Sequence, residues 1–151
     1  MKKKDIKVLL VDDEVDFVNT LAQRLKMREL LVDTVYDGSQ ALDFIKKVEP
    51  DVIVLDLKMP GLHGIEVLRE IKKHHREVQV IILTGHGNDK DEQEAQALGG
   101  FEFLHKPVDI DLLVAKIREA FQEKFERAMT AIAYAEEGMF DTAQKIINKD
   151  E

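Results

Sequence analysis

Five short apolar segments recur along the chain, and each is followed by a stretch with polar turn residues and apolar positions at helical spacing. Short apolar runs bounded by turn residues are typical of buried strands, whereas a three-to-four-residue repeat is typical of amphipathic helices. The fourth of these helices has few apolar positions, which predicts a lightly packed element. The predicted strands are residues 6–11, 31–36, 52–55, 78–83 and 101–104.

Strands that alternate with helices favour parallel βα units joined by right-handed crossovers. The pattern therefore predicts an α/β protein with a flavodoxin-like (βα)5 fold, a doubly wound parallel five-stranded sheet. We expect the strand order 2-1-3-4-5, which places strands 1 and 3 side by side at the switch point where such sheets bind ligands.

The fifth helical pattern continues beyond residue 127, with apolar positions up to Ile132, and Gly138 then has the character of a C-cap. Asp141 can cap a last short helix. We expect residues 5–127 to form one domain and residues 128–151 a C-terminal helical hairpin. The hairpin either covers helix five or resembles one tetratricopeptide-like pair, which needs the domain, a second copy or a partner to cover its apolar face.

Carboxylates follow two strands that this topology makes neighbours: Asp12 and Asp13 follow strand one, and Asp56 follows strand three. Three carboxylates about 5 Å apart repel by ~3 kcal/mol per pair at an effective dielectric constant of about 20. An Mg²⁺ ion, which prefers oxygen ligands, would offset that repulsion. Taken singly, each aspartate could instead be a helix cap or a turn residue.

Two more polar residues follow strands four and five. Thr84 offers a hydroxyl that can donate to a phosphoryl oxygen, and Lys106 offers a compact positive charge. A threonine in a strand or a lysine near a strand end is common by itself. Their joint placement with the carboxylates at one edge of the sheet supplies groups that phosphoryl transfer requires.

Composition narrows the possible partners. The chain has 151 residues, about one domain, and a net charge of -8. Direct nucleic-acid binding is disfavoured because it requires clustered basic residues. No apolar run approaches the ~20 residues that span a bilayer, and the short run behind Met1–Lys4 does not resemble a secretory signal. The chain has no cysteine, so we expect no disulfide and a cytoplasmic location.

The motifs Asp12-Asp13, Asp56 with Met59-Pro60-Gly61 and Gly64, Thr84-Gly85, and residues 99–107 closely resemble, in order and spacing, the receiver domain of two-component response regulators. The resemblance covers about residues 5–125 and implies a stand-alone receiver with a helical extension. It implies that a histidine kinase or phosphotransfer protein transfers a phosphoryl group to Asp56, and that phosphorylation switches a contact with a downstream protein.

The resemblance also implies roles for individual residues. Asp13, Asp56 and the Lys58 backbone carbonyl would bind Mg²⁺ directly, and Asp12 would bind it through water. Lys106 would bond the phosphoryl group, and the Lys106–Pro107 peptide would be cis, which X-Pro bonds tolerate.

In the same family, movement of the threonine is coupled to burial of an aromatic residue on strand five, here Thr84 and Phe103. Phe103 lacks the hydroxyl of the commoner tyrosine and could also be an ordinary core residue. Lys58 and His86 would influence the lifetime of the phosphoaspartate. A phosphorylation-dependent homodimer could form through helix four, strand five and helix five, or through the C-terminal helices.

We expect a signalling domain that catalyses only its own phosphorylation and dephosphorylation. A haloacid-dehalogenase-like phosphatase would require Asp-x-Asp after strand one, where this chain has Asp12-Asp13-Glu14. A flavin-binding electron carrier would require a loop rich in serine, threonine and glycine there. A phosphorylation-independent scaffold that acts through the C-terminal helices is the remaining alternative.

Overall fold

Five parallel strands form a single sheet in the order β2-β1-β3-β4-β5. The structure, a computed structural model, describes residues 5–85, 88–138 and 140–147. The fold class and the strand order predicted from the sequence are both confirmed. The strands are β1 Lys7–Val11, β2 Leu31–Val35, β3 Val52–Leu55, β4 Gln79–Thr84 and β5 Glu102–His105.

Helices cover both faces of the sheet. One buried layer joins the strands to α1 and α5, and a second joins them to α2, α3 and α4. Side-chain caps define several helix starts: Asp37 accepts a hydrogen bond from the Gln40 N–H and begins α2, and Asp109 accepts one from the Leu112 N–H and begins α5. The helices are α1 Val15–Lys26, α2 Gly38–Lys47, α3 Gly64–His74, α4 Asp89–Ala97, α5 Ile110–Glu136 and α6 Phe140–Ile147.

Strand β3 lies at the centre of the sheet, and all four of its side chains are buried. Val52 and Val54 belong to the layer under α1 and α5, whereas Ile53 and Leu55 face the opposite layer. An unbroken apolar run is therefore required here, because both faces of the strand are covered. By contrast, Ala95 is the buried residue of α4, which confirms that this helix is lightly packed.

The fifth helix is 27 residues long and passes residue 127 without a break. It ends before Gly138, whose φ of +79° is accessible to glycine at little cost, and α6 then packs against α5. Helix α6 begins at Phe140, so Asp141 lies inside the first turn rather than at the cap position expected from the sequence. Within the described residues, no helix combines the length and the apolar character needed to cross a membrane.

Two polar contacts attach α5 to the N-terminal edge of the sheet, opposite the carboxylates. The buried Gln79 side chain donates to the Ala120 carbonyl over 3.1 Å. The Asp51 carboxylate lies 2.8 Å from Lys124 Nζ and accepts a second hydrogen bond from the Lys7 N–H over 2.9 Å. Asp51 therefore connects the start of β1 to the outer half of α5.

Asp51→Ala is expected to lower the free energy of unfolding by about 2–3 kcal/mol, because it leaves the Lys7 N–H and the Lys124 ammonium without their shared acceptor. Urea unfolding would measure this loss. Glu119→Ala, which removes one partner of the exposed contact with Lys116, should cost less than about 1 kcal/mol. Equal losses in the two variants would show that the Asp51 contact stabilises the fold no more than the exposed Glu119–Lys116 contact does.

Candidate functional site

Three carboxylates meet where β1 and β3 end side by side. Val11 pairs with Leu55 in the sheet, and the Asp56 N–H donates to the Val11 carbonyl over 3.0 Å. Asp12 and Asp56 therefore emerge next to each other, and Asp13 lies beside them. Oxygen atoms of the three side chains all lie within 4.8 Å of one another.

Asp12 is 5% exposed and Asp56 is 4% exposed, whereas Asp13 is more accessible. Burial raises the pKa of Asp12 above its ordinary value, and the nearby Asp56 charge adds to the rise. Hydrogen bonds from Lys106 and from the Glu14 N–H oppose it without cancelling it. Because burial disfavours the charged form of Asp12, a cation bound at this cluster would stabilise the charged Asp12 carboxylate.

The Lys106 ammonium lies among these carboxylates. Its Nζ is 2.6 Å from Asp12 Oδ2 and 3.5 Å from Asp56 Oδ2. Burial lowers the pKa of Lys106, but hydrogen bonds to Asp12 and Glu14 and the Asp56 charge outweigh that effect, so the net pKa is raised. Lys106 therefore remains a cation, and the Lys106–Pro107 peptide that follows is cis.

Thr84 is the last residue of β4 and is fully buried. It pairs in register with His105, and its carbonyl accepts a hydrogen bond from the Lys106 N–H over 3.0 Å. The backbones that carry Thr84 and Lys106 are thus directly joined.

The remaining residues expected at the site differ in their placement. Lys58 is exposed, and its backbone N–H points at Asp56 Oδ1 over 3.4 Å. Phe103 is half-buried against the layer under α2, α3 and α4, and its ring meets the His105 ring edge-on with centroids 5.3 Å apart. His86 lies outside the described residues.

Glu14 is a member of the site that the sequence did not identify. Its Oε1 lies 2.9 Å from Lys106 Nζ, across 92 positions of sequence. The signal available in the sequence was the third acidic residue of Asp12-Asp13-Glu14. An acidic residue at a helix start is ordinarily read as favourable to the helix dipole, so that signal alone does not identify a contact with a distant lysine.

Gly64 closes the loop that follows Asp56. Its N–H donates to the Leu57 carbonyl over 2.8 Å, so α3 begins directly against the end of β3. A Cβ added to Gly64 would lie 2.5 Å from the Asp56 carbonyl oxygen and 2.5 Å from Leu57 Cα. Only glycine permits this close approach, which fixes the path of the backbone that carries Asp56.

His63 caps α3 with its imidazole ring, a role that the sequence did not reveal. Nδ1 accepts a hydrogen bond from the Ile65 N–H over 3.1 Å. His63→Ala is expected to lower the free energy of unfolding by about 1 kcal/mol, because one orphan N–H of the first turn loses its acceptor.

The matched variant His63→Asp should retain most of the stability, since aspartate is a preferred cap and its charge suits a helix N-terminus. Urea unfolding of both variants would test this role. A loss with aspartate as large as the loss with alanine would argue against capping.

The donor set fits Mg²⁺. The three side chains supply carboxylate oxygens, which hard divalent cations prefer, and no sulfur or imidazole ligand is found in this cluster among the described residues. The cluster can therefore hold a cation beside the Asp56 carboxylate. The Lys106 ammonium places a further positive charge near the same carboxylate.

An open α/β sheet with a carboxylate cluster at its switch point is typical of proteins that bind a ligand there. Comparisons with known proteins identify the family. A family model for the response regulator receiver domain matches residues 8–118. The chain belongs to this family and is a signalling domain of two-component systems, in agreement with the motif resemblance.

Solved structures agree with this assignment. A receiver domain protein from Clostridium thermocellum is 36% identical, with a TM-score of 0.75 over 79% of this chain and 96% of its own. The receiver domain of NtrX from Brucella abortus is 34% identical, with a TM-score of 0.72 over 76% and 98%. A CheY-like receiver domain protein from Methanospirillum hungatei JF-1 is 23% identical and shares the fold, with a TM-score of 0.79 over 82% and 98%.

Proposed function

We propose that this chain accepts a phosphoryl group on Asp56 from a phosphohistidine of a histidine kinase or phosphotransfer protein, and thereby switches a protein contact. One observation carries the proposal: the Asp56 carboxylate lies within a cluster of three acidic side chains and 3.5 Å from the Lys106 ammonium. A nucleophile, a cation site and a fixed positive charge are the groups that phosphoryl transfer requires.

In the transfer, an ionised Asp56 oxygen forms a bond to phosphorus as the phosphorus–nitrogen bond to the donor histidine breaks. Lys106 holds a positive charge where negative charge develops on the phosphoryl oxygens. When bound, Mg²⁺ would neutralise further charge on those oxygens. The short loop closed at Gly64 holds Asp56 in place, so little ordering is left to the moment of reaction.

We assign direct contact with Mg²⁺ to Asp13, Asp56 and the Lys58 carbonyl, and contact through water to Asp12. Both oxygens of Asp12 already accept hydrogen bonds, Oδ1 from the Glu14 N–H and Oδ2 from Lys106. This arrangement supports the indirect role, because these two bonds, at 2.9 and 2.6 Å, are shorter than the 3.4 and 3.5 Å contacts that the Asp56 oxygens make with the Lys58 N–H and with Lys106.

We further propose that Thr84 and Phe103 form the switch. A charge-assisted hydrogen bond from Thr84 contributes about 1.5–3 kcal/mol, whereas moving a two-state element from 1:99 to 99:1 requires about 5.5 kcal/mol. The Phe103 side chain is half-exposed in this structure. Its burial would remove apolar area from water and so contribute to the remaining free energy. Lys58 and His86 are assigned to the lifetime of the phosphoaspartate.

We propose a functional division into a receiver over residues 5–127 and a C-terminal extension over residues 128–151, in a cytoplasmic protein. Three apolar side chains of α5 support a contact surface around this boundary: Phe125 is 38% exposed, Met129 is 45% exposed and Ile132 is 48% exposed. That surface, or the surface formed by α4, β5 and α5, would bind a target protein or a second copy of this chain after phosphorylation.

Light scattering with and without beryllofluoride, a phosphoryl mimic, would detect a homodimer that forms in this way.

Incubation with acetyl phosphate and measurement of the intact mass would test the phosphoacceptor function. We expect one phosphoryl group per chain with Mg²⁺ and none with EDTA. Continuous hydrolysis of a phosphate ester without a labelled protein would instead favour a phosphatase. An unlabelled and inactive protein would contradict the proposal.

A further inference from the structure

Glu14 occupies a cap position without acting as a cap. It precedes α1 as the N-cap residue, but its side chain makes no capping hydrogen bond. Its carboxylate instead reaches Lys106, with Oε1 2.9 Å from Nζ. The backbone N–H of Glu14 donates to Asp12 Oδ1, which holds the start of α1 against the carboxylate cluster. The contact with Lys106 is thus part of a connected arrangement of side chains.

An ammonium group has three N–H donors, and three carboxylates surround that of Lys106. Asp12 is nearest at 2.6 Å, Glu14 follows at 2.9 Å, and Asp56 is the most distant at 3.5 Å. The ring of Phe17 lies below the ammonium, 4.6 Å from Nζ to its centroid. In this state Lys106 is therefore held more closely by the α1 side of the site than by Asp56.

We propose that Glu14 is a positioning residue that competes with the phosphoryl group on Asp56 for Lys106, and so limits the stability of the phosphorylated state. The inference rests on the proposed phosphoacceptor function. A phosphoryl group on Asp56 places new anionic oxygens beside Lys106, and a closer bond to them requires Lys106 to give up part of its contact with Glu14.

Exposure indicates which of the two closer carboxylates can release Lys106. The Glu14 side chain is 56% exposed, whereas that of Asp12 is 7% exposed. Water can solvate a released Glu14 carboxylate, but a released Asp12 carboxylate would remain buried with its charge. The Glu14–Lys106 contact can therefore be weakened without disturbing the carboxylate cluster.

The affinity of the Mg²⁺–beryllofluoride complex, measured by isothermal titration calorimetry on the full chain, tests the competition. Glu14→Gln replaces the charged acceptor with a weaker neutral one, and we expect about two- to fivefold tighter binding, in line with the modest strength of exposed ion pairs. Glu14→Asp retains the charge on a shorter side chain and should shift the affinity in the same direction. Asp16→Asn, an exposed acidic residue in the first turn of α1, removes the same charge and should leave the affinity within the error of the wild-type value.

The outcomes separate this inference from the function on which it rests. If the wild-type protein does not bind the mimic, the proposed function fails, and this inference fails with it. If the wild-type protein binds but Glu14→Gln matches Asp16→Asn, or binds more weakly than the wild type, only the role of Glu14 is overturned. If Glu14→Gln changed the affinity but Glu14→Asp did not, the change would be a general charge effect. That result would also overturn the proposed role of the Glu14–Lys106 contact.

Discussion

Asp56→Asn is expected to abolish phosphorylation by acetyl phosphate, leaving no detectable phosphoryl group on the intact protein. The amide has nearly the same shape as the carboxylate, so the buried end of β3 should be preserved. It lacks the negative charge and the nucleophilic oxygen that the reaction requires. Intact-mass measurement in Mg²⁺ at matched protein concentrations would report the loss.

Asp33→Asn provides the matched control for this experiment. Asp33 lies on β2 and is exposed, so its replacement removes the same charge away from the site, and its labelling should equal that of the wild type. Labelling of Asp56→Asn at the wild-type level would reject Asp56 as the acceptor.

Mg²⁺ is expected to stabilise the wild-type protein by about 2.7 kcal/mol at a concentration one hundred times its dissociation constant, because the ion binds the folded carboxylate cluster and not the unfolded chain. Asp13→Asn should remove most of that increment, since Asp13 supplies a carboxylate oxygen close to those of Asp12 and Asp56. Urea unfolding in Mg²⁺ and in EDTA would measure the increment for each protein.

Asp33→Asn again serves as the control and should retain the full increment. If Asp13→Asn gained as much stability from Mg²⁺ as the wild type, the ion would bind elsewhere, and the ligand assignment would have to be withdrawn. Because the increment is measured on the folding equilibrium, it reports metal binding independently of phosphoryl transfer.

Much of the fold follows from local signals in the sequence. The apolar run 52–55 has no polar face, which identified a strand covered on both sides, and the regular alternation with helical repeats implied a parallel sheet. Once β1 and β3 are neighbours, Asp12 and Asp56 must lie together, because both follow paired strand ends. The carboxylate cluster was therefore predictable from topology and turn chemistry.

Side-chain contacts between distant segments were less accessible to sequence reasoning. Glu14 and Lys106 are separated by 92 positions, and their contact depends on how α1 begins. His63 is an uncommon cap, so its residue type did not predict its bond to the Ile65 N–H. Asp51 is an ordinary loop residue in the sequence, and only the path of α5 brings Lys124 to it.

The strand boundaries differ from the predicted ones by at most one residue at each end, since periodicity identifies an element better than it locates its ends. For example, β4 extends to Thr84, and β5 begins at Glu102 rather than at residue 101. These small shifts matter at the site, because they make Thr84 part of the strand that pairs with β5.

If Asp56 carries the phosphoryl group, mapping the modified residue will locate the group on that side chain. The protein would be phosphorylated with acetyl phosphate and Mg²⁺, treated with borohydride to reduce the acyl phosphate to an alcohol, and digested for peptide mass spectrometry. The reduced side chain is expected at Asp56. Reduction at a different aspartate, or a phosphoryl group on a side chain that borohydride does not reduce, would contradict it.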